Sequence, residues 1–83
     1  MKRKEAIIRY LGKAVWAGRW EIARATNIPV NLVSVKLTEL KKSGLVRRVE
    51  WSDGSKVWVL TAKGGKRYEY YKRRDRKQAN SQS

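Results

Sequence analysis

Three chain breakers in fixed order constrain this sequence most: Pro29, Gly44 and the dipeptide Asp53-Gly54. Proline is well placed at the start of a helix, where its missing N–H would have had no partner. Glycine closes a helix in a left-handed cap. Asp-Gly is a strong hairpin signal, fitting a two-residue type I′ turn. Pro29 and Gly44 therefore bracket one helix, residues 29–43. Val33, Leu37 and Leu40 form its apolar stripe, and Lys41 and Lys42 suit the negative end of its dipole.

The rest of the chain is read outward from that helix. Upstream, a short helix over residues 19–25, opening at Arg19 or Trp20, buries Ile22 and Ala23. It ends in Thr26-Asn27, and Asn tolerates left-handed backbone angles. Residues 3–13 predict a first helix with Ile7, Ile8, Leu11 and Val15 on its apolar side. Residues 14–17 can add a small strand before Gly18. Downstream, residues 45–51 and 56–61 read as the two strands of a hairpin. With a two-residue turn, Trp51 faces Lys56, Val49 faces Trp58 and Arg47 faces Leu60. Leu45, Val49, Trp58 and Leu60 then form the core side. The Val46, Val57 and Val59 side is also apolar and needs cover, from residues 15–16 or from a second chain. Thr61 caps a fourth helix, residues 62–74, whose Tyr68 and Tyr71 pack on the first helix, with Gly64 or Gly65 allowing close approach. The polar residues 75–83 predict a disordered tail. The expected architecture is one α+β domain over residues 3–74: a three-helix core, a two-stranded β-hairpin and a C-terminal helix.

Charge narrows the function. The 83 residues carry 21 Lys and Arg against 7 Asp and Glu, a formal net charge of +14. Such an excess repels itself in the free chain and predicts a polyanionic partner. The chain has no His and no Cys, which removes the commonest general base, thiolate metal sites, disulfides and a cysteine nucleophile. The seven acids are scattered, so no enzyme, no cofactor, no metal site and no small-molecule substrate is expected. No apolar run reaches the roughly 18 residues of a membrane span, and charges interrupt the apolar block a signal peptide would need. A cytoplasmic, nucleoid-associated protein with no membrane partner is the expectation.

The segment EIARATNIPVNLVSVKLTELKKSGLVRR resembles the helix-turn-helix of MarR-, PadR- and ArsR-type winged-helix regulators. Ile22-Ala23, Ile28-Pro29, Val33, Leu37, Leu40 and Gly44-Leu45-Val46 fall in matching places. After the hairpin, VLTAKGGKRYEYY resembles the Leu-Thr-x-x-Gly opening of the following helix in such proteins. The compact, lysine-rich style is similar to small winged-helix proteins of archaea, their viruses and plasmids. The sequence departs from the pattern at Val35, often a basic position, and at Lys36, often a leucine.

The resemblance implies a winged helix-turn-helix that binds double-stranded DNA as a transcriptional regulator, with helix 29–43 in the major groove and wing 45–61 on the backbone or in the minor groove. The expected DNA-binding residues are Arg19, Val30, Asn31, Ser34, Val35, Lys36, Thr38, Lys41, Arg47, Arg48 and Lys56. Asn31 suits adenine, Ser34 a base or phosphate, and Val35 a thymine methyl. Alternation sends Arg47 and Arg48 to opposite faces of the hairpin, so one of them points at DNA. Phosphate contacts from the many cations dominate affinity. Related proteins pair through their first and last helices, which predicts a homodimer with Tyr70 and Tyr71 at the interface, against the repulsion of neighbouring cations. Alternatives are an architectural DNA coater without sequence choice and a winged helix that binds protein or RNA.

Overall fold

The computed structural model describes the backbone of residues 2–82 and side chains as far as residue 76. Its elements run α1 (Arg3–Ala14), β1 (Trp16–Ala17), α2 (Arg19–Thr26), α3 (Val30–Lys42), β2 (Val46–Glu50), β3 (Lys56–Leu60) and α4 (Ala62–Gln82). The strands form one antiparallel sheet in the order β1-β3-β2. The three-helix core, hairpin and C-terminal helix of a winged helix-turn-helix are all present. The small strand near Trp16 adds a third member to the sheet.

The core is the one the helical spacing specifies. Ile7, Ile8, Leu11, Ile22, Val33, Leu37 and Leu40 are buried, joined by Ala17 and Val46 from the sheet. Truncating a fully buried Leu such as Leu37 costs about 2–5 kcal/mol, partly through the cavity left behind. Val15 is not in this core. The helix stops at Ala14, and Val15 turns the chain toward β1 with φ 75° and ψ −50°, leaving its side chain exposed. Positive φ is strained for a β-branched residue.

Helix ends follow their residues. Pro29 stands just before α3, and Asn27 closes α2 at φ 58°. At the end of α3 the Gly44 N–H donates to Lys41 O and the Leu45 N–H to Leu40 O, the two bonds of a Schellman cap, with Gly44 at φ 79°. Thr61 ties this cap to α4. Its hydroxyl donates to Gly44 O and accepts from the Gly64 N–H at 3.1 Å, while its N–H donates to Leu45 O at 3.1 Å. Gly64 lies so close that an added Cβ would stand 2.0 Å from Leu45 O. Gly12 does the same for the Tyr68 ring, 2.5 Å from an added Cβ, so a residue that weakens α1 locally lets α4 dock on it.

Two sequence expectations are corrected. The hairpin register is shifted by one: Val46 pairs with Leu60, Arg47 with Val59, Arg48 with Trp58, Val49 with Val57 and Glu50 with Lys56. The loop has three residues, not two. The Gly54 N–H donates to Trp51 O at 3.0 Å, the Trp51 N–H donates to Ser55 O at 2.8 Å, and Gly54 takes φ 88°. That is a type I turn followed by a left-handed glycine bulge. The Asp53 carboxylate fixes it by accepting from the Ser55 N–H and hydroxyl. One residue of slip exchanges the faces. Val46, Trp58 and Leu60, with Ala17, turn inward. Val49 moves to the outer face with Val57 and Val59, where Trp16 and Trp51 meet edge to face at 5.7 Å.

The fourth helix does not end at Arg74. Its backbone is helical to Gln82, because no Gly or Pro follows Gly65 and Arg, Lys, Gln and Ala all favour helix. Asp75, expected in a tail, is instead anchored by Arg9 of α1. Ser83 lies outside the described residues.

Candidate nucleic-acid interface

The outward side of α3 is open. Asn31, Val35 and Thr38 are exposed, Val35 at 53%, opposite the buried stripe of Val33, Leu37 and Leu40. Val30 and Ser34 are half-buried at its margin. The Thr38 hydroxyl donates back to Ser34 O at 3.0 Å, so what it has left for a ligand is its capacity to accept.

Beside this crest runs a groove of about 650 Å³ between α3 and the hairpin. Ser34, Leu37 and Thr38 form one wall, Arg48, Gly54, Lys56 and Trp58 the other, and Gly18, Arg19, Trp20 and Glu21 close the end. Five of the expected residues, Arg19, Ser34, Thr38, Arg48 and Lys56, therefore meet in one place. The corrected register puts Arg48 beside Trp58 and Lys56 on the face toward α3. Arg47 falls on the other face, in a hollow with Val59 and Tyr68. Lys36 and Lys41 do not line the groove. Lys36 is on the opposite flank of α3, beside Lys2, Arg3 and Lys4, and pairs with Glu39 at 3.3 Å. Lys41 is exposed in the last turn of α3.

The groove cations are unneutralised. Among the described residues none of Arg19, Arg48 and Lys56 has a carboxylate within ion-pair distance. Glu21, the acid of the groove wall, is held at the start of α2, where its carboxylate accepts from the Gly18 N–H at 3.1 Å and lies at the positive end of the helix dipole. At the hairpin tip, Ser55's hydroxyl and N–H hold the Asp53 carboxyl below the usual range, so the turn is locked by an anion at neutral pH.

Two groove residues escaped the sequence reading. Trp20 is exposed at 64%, with the Arg19 guanidinium 6.0 Å from its ring, and Trp58 was counted as core alone. The sequence signal for Trp20 was a large aromatic on a short, weakly amphipathic helix that needs only Ile22 and Ala23 for its packing.

A chain with this helix-turn-helix, this hairpin and this basic groove is a small winged helix-turn-helix protein, similar in fold to the MarR-type transcription regulators. Among solved structures, NadR in complex with 4-hydroxyphenylacetate superposes with a TM-score of 0.89 at 26% identity over 98% of this chain. An apo-form mutant of Lactococcus lactis ZitR gives 0.85 at 20% identity over 95%. MepR, a transcription regulator of the Staphylococcus aureus multidrug efflux pump MepA, gives 0.83 at 22% over the whole chain. The match spans 59%, 61% and 65% of those longer chains, respectively. No protein-family model and no curated protein matches the sequence.

Proposed function

We propose that the protein binds double-stranded DNA and regulates transcription, with α3 in the major groove and the hairpin as a wing over the adjacent backbone or minor groove. The observation that carries this reading is the open crest of α3 with Arg19, Arg48 and Lys56 along its groove side, none of which has a carboxylate within ion-pair distance among the described residues. Asn31, Val35 and Thr38 form the base-reading edge, with Val30 and Ser34 at its side. Arg19, Arg48 and Lys56 take the phosphates of the strand passing between helix and wing. Lys36, with Lys2 to Lys4, takes the strand on the other flank, and Lys41 adds to it. Arg47, on the far face of the hairpin, drops from direct contact. No Arg stands on the crest, so guanine readout is weak and A·T-containing sites are favoured.

Neighbouring structures belong to regulators and not enzymes, which supports the same class. No helix among the described residues is long and apolar enough to cross a membrane, in keeping with a cytoplasmic, DNA-associated place of action. A homodimer through α1 and α4 would set two recognition helices about 34 Å apart, one turn of duplex. Tyr70 is exposed, but on α4 it stands among Lys66, Arg67 and Arg73, whose charges would repel a second copy. Tyr71 does not support that pairing either, because the Arg9 and Arg74 guanidiniums already lie over its ring at 5.4 and 5.3 Å.

Selection from random duplex DNA at near-physiological salt, with a mass measurement of the complex, tests the reading. A recovered motif that Asn31→Ala changes is the expected result. Equal affinity for all duplexes would leave the architectural role, and affinity that does not fall with added salt would end both DNA roles. If about six phosphates are neutralised per protomer, the slope of log affinity on log salt lies near −5.

A further inference from the structure

A charged surface outside the groove lies on α4. Lys63, Lys66, Arg67, Tyr70, Arg73 and Arg74 recur at intervals of three and four and so share one face of the helix. At its two ends Lys63 donates to Ser43 O at 2.9 Å and Arg74 to Glu5 at 2.7 Å, so among the described residues the stripe cations without a protein partner are Lys66, Arg67 and Arg73. The stripe is about 16 Å long at 1.5 Å per residue. Lys66, Arg67, Tyr70 and Arg73 are exposed. Both acids of α4 stand off the stripe: Glu69 pairs with Lys72 at 3.5 Å, and Asp75 accepts from Arg9. The opposite side of the helix, with Gly64, Tyr68 and Tyr71, is already packed on the body of the protein.

We propose that this stripe is a second site for duplex DNA phosphates, so that one protein holds two DNA segments, one in the α3–wing groove and one along α4. Cations three and four residues apart repel each other along a free helix and call for a continuous counter-charge. A second copy presenting the same stripe across a two-fold axis would add repulsion. An anionic bilayer is poorly matched, because the apolar side that would enter it is spent on the core. A linear polyanion fits all three conditions. The two surfaces are built from different parts: α2, α3 and the hairpin line the groove, whereas α4 packs on α1 and β3. No residue belongs to both. The inference rests on the DNA reading for the occupant of the groove.

The test is capture of a labelled duplex by beads carrying a different duplex and saturated with the full chain, with affinity for a single duplex measured in parallel by anisotropy. The variant Lys66→Ala/Arg67→Ala/Arg73→Ala is compared with Lys13→Ala/Lys72→Ala/Arg76→Ala, which removes the same charge off the stripe. The expected result is capture by wild type and control, reduced at least about five-fold in the stripe variant, while its single-duplex affinity changes by no more than about three-fold. Capture that survives in the stripe variant would trace bridging to the paired grooves of a dimer and overturn the proposal. Equal loss in the control would overturn it as a bulk-charge effect. Capture of phosphatidylserine vesicles in place of a second duplex would overturn it in favour of a membrane. Wild-type protein that binds one duplex tightly but captures no second removes the α4 site alone. Protein that binds no duplex removes the DNA reading and this site with it.

Discussion

Arginines do opposite work at two places in this molecule. Along the seam between α1 and α4, Arg9 Nε donates to Glu5 at 2.9 Å, its other nitrogens reach Asp75, Arg74 donates to Glu5 at 2.7 Å, and both guanidiniums lie over the Tyr71 ring at 5.4 and 5.3 Å. In the groove, Arg19 and Arg48 have no carboxylate within ion-pair distance among the described residues. The side-chain chemistry is the same, and the difference lies in where the few acids stand. Two of the seven, Glu5 and Asp75, are committed to the seam, so its cations hold the fold and the groove's cations stay available to a ligand.

That contrast can be broken most directly by removing cations from each place. Arg19→Ala/Arg48→Ala/Lys56→Ala should weaken duplex binding about 100-fold at moderate salt and make the salt slope less negative by about 3, with an unchanged melting temperature. Arg9→Ala/Arg74→Ala should do the reverse, lowering the melting temperature with a far smaller effect on affinity. Equal losses of affinity in the two variants would erase the distinction.

Next in size is Glu5→Gln. Its carboxylate is 12% exposed and faces two guanidiniums, so neutralising it should cost about 1–3 kcal/mol in urea unfolding. A third measurement sharpens the groove itself. Arg48→Ala should weaken binding about five-fold, whereas Arg47→Ala, on the far face of the hairpin, should change it by less than about two-fold. The opposite ranking would restore the two-residue turn and its register.

The gentlest probe is pH. Burial alone would raise the Glu5 pKa, but the hydrogen bonds and charges of Arg9 and Arg74 outweigh it and hold the group below its ordinary value of 4.5. The hydrogen bond from Arg9 holds Asp75 below 3.8. Folded-state values depressed in this way give stability that is complete above the ordinary carboxylate range. It is lost as pH falls through the lowered values. Thermal melts should therefore be flat in this respect above about pH 5 and decline below it, and Glu5→Gln should flatten that decline.

The helix-turn-helix was legible because its signals are local and agree with one another: Pro29 before α3, Asn27 and Gly44 in left-handed backbone, and Val33, Leu37 and Leu40 on one stripe. Thr61 at the start of α4 was legible for the same reason. The hairpin register was not. Asp53-Gly54 fits a two-residue turn and a three-residue turn with a glycine bulge equally well, and the choice falls to the bonds from Ser55 to Asp53. That single-residue difference decides which arginine faces α3. The length of α4 was hidden differently: its polar end has no apolar period, and the contact that fixes Asp75 comes from Arg9, 66 positions earlier. Trp58 packs against the core, as its alternation implies, and also lines the groove, a second role that a strand's alternation does not reveal.

The junction of Gly44, Leu45, Thr61 and Gly64 has a mechanical consequence. With no side chain at Gly64 and the Thr61 hydroxyl bonded to both partners, the end of α3 and the beginning of α4 are tied into one elbow. A load applied along α4 is therefore expected to reach α3, the proposed reading helix, as a tilt, because no hinge separates the two at this junction.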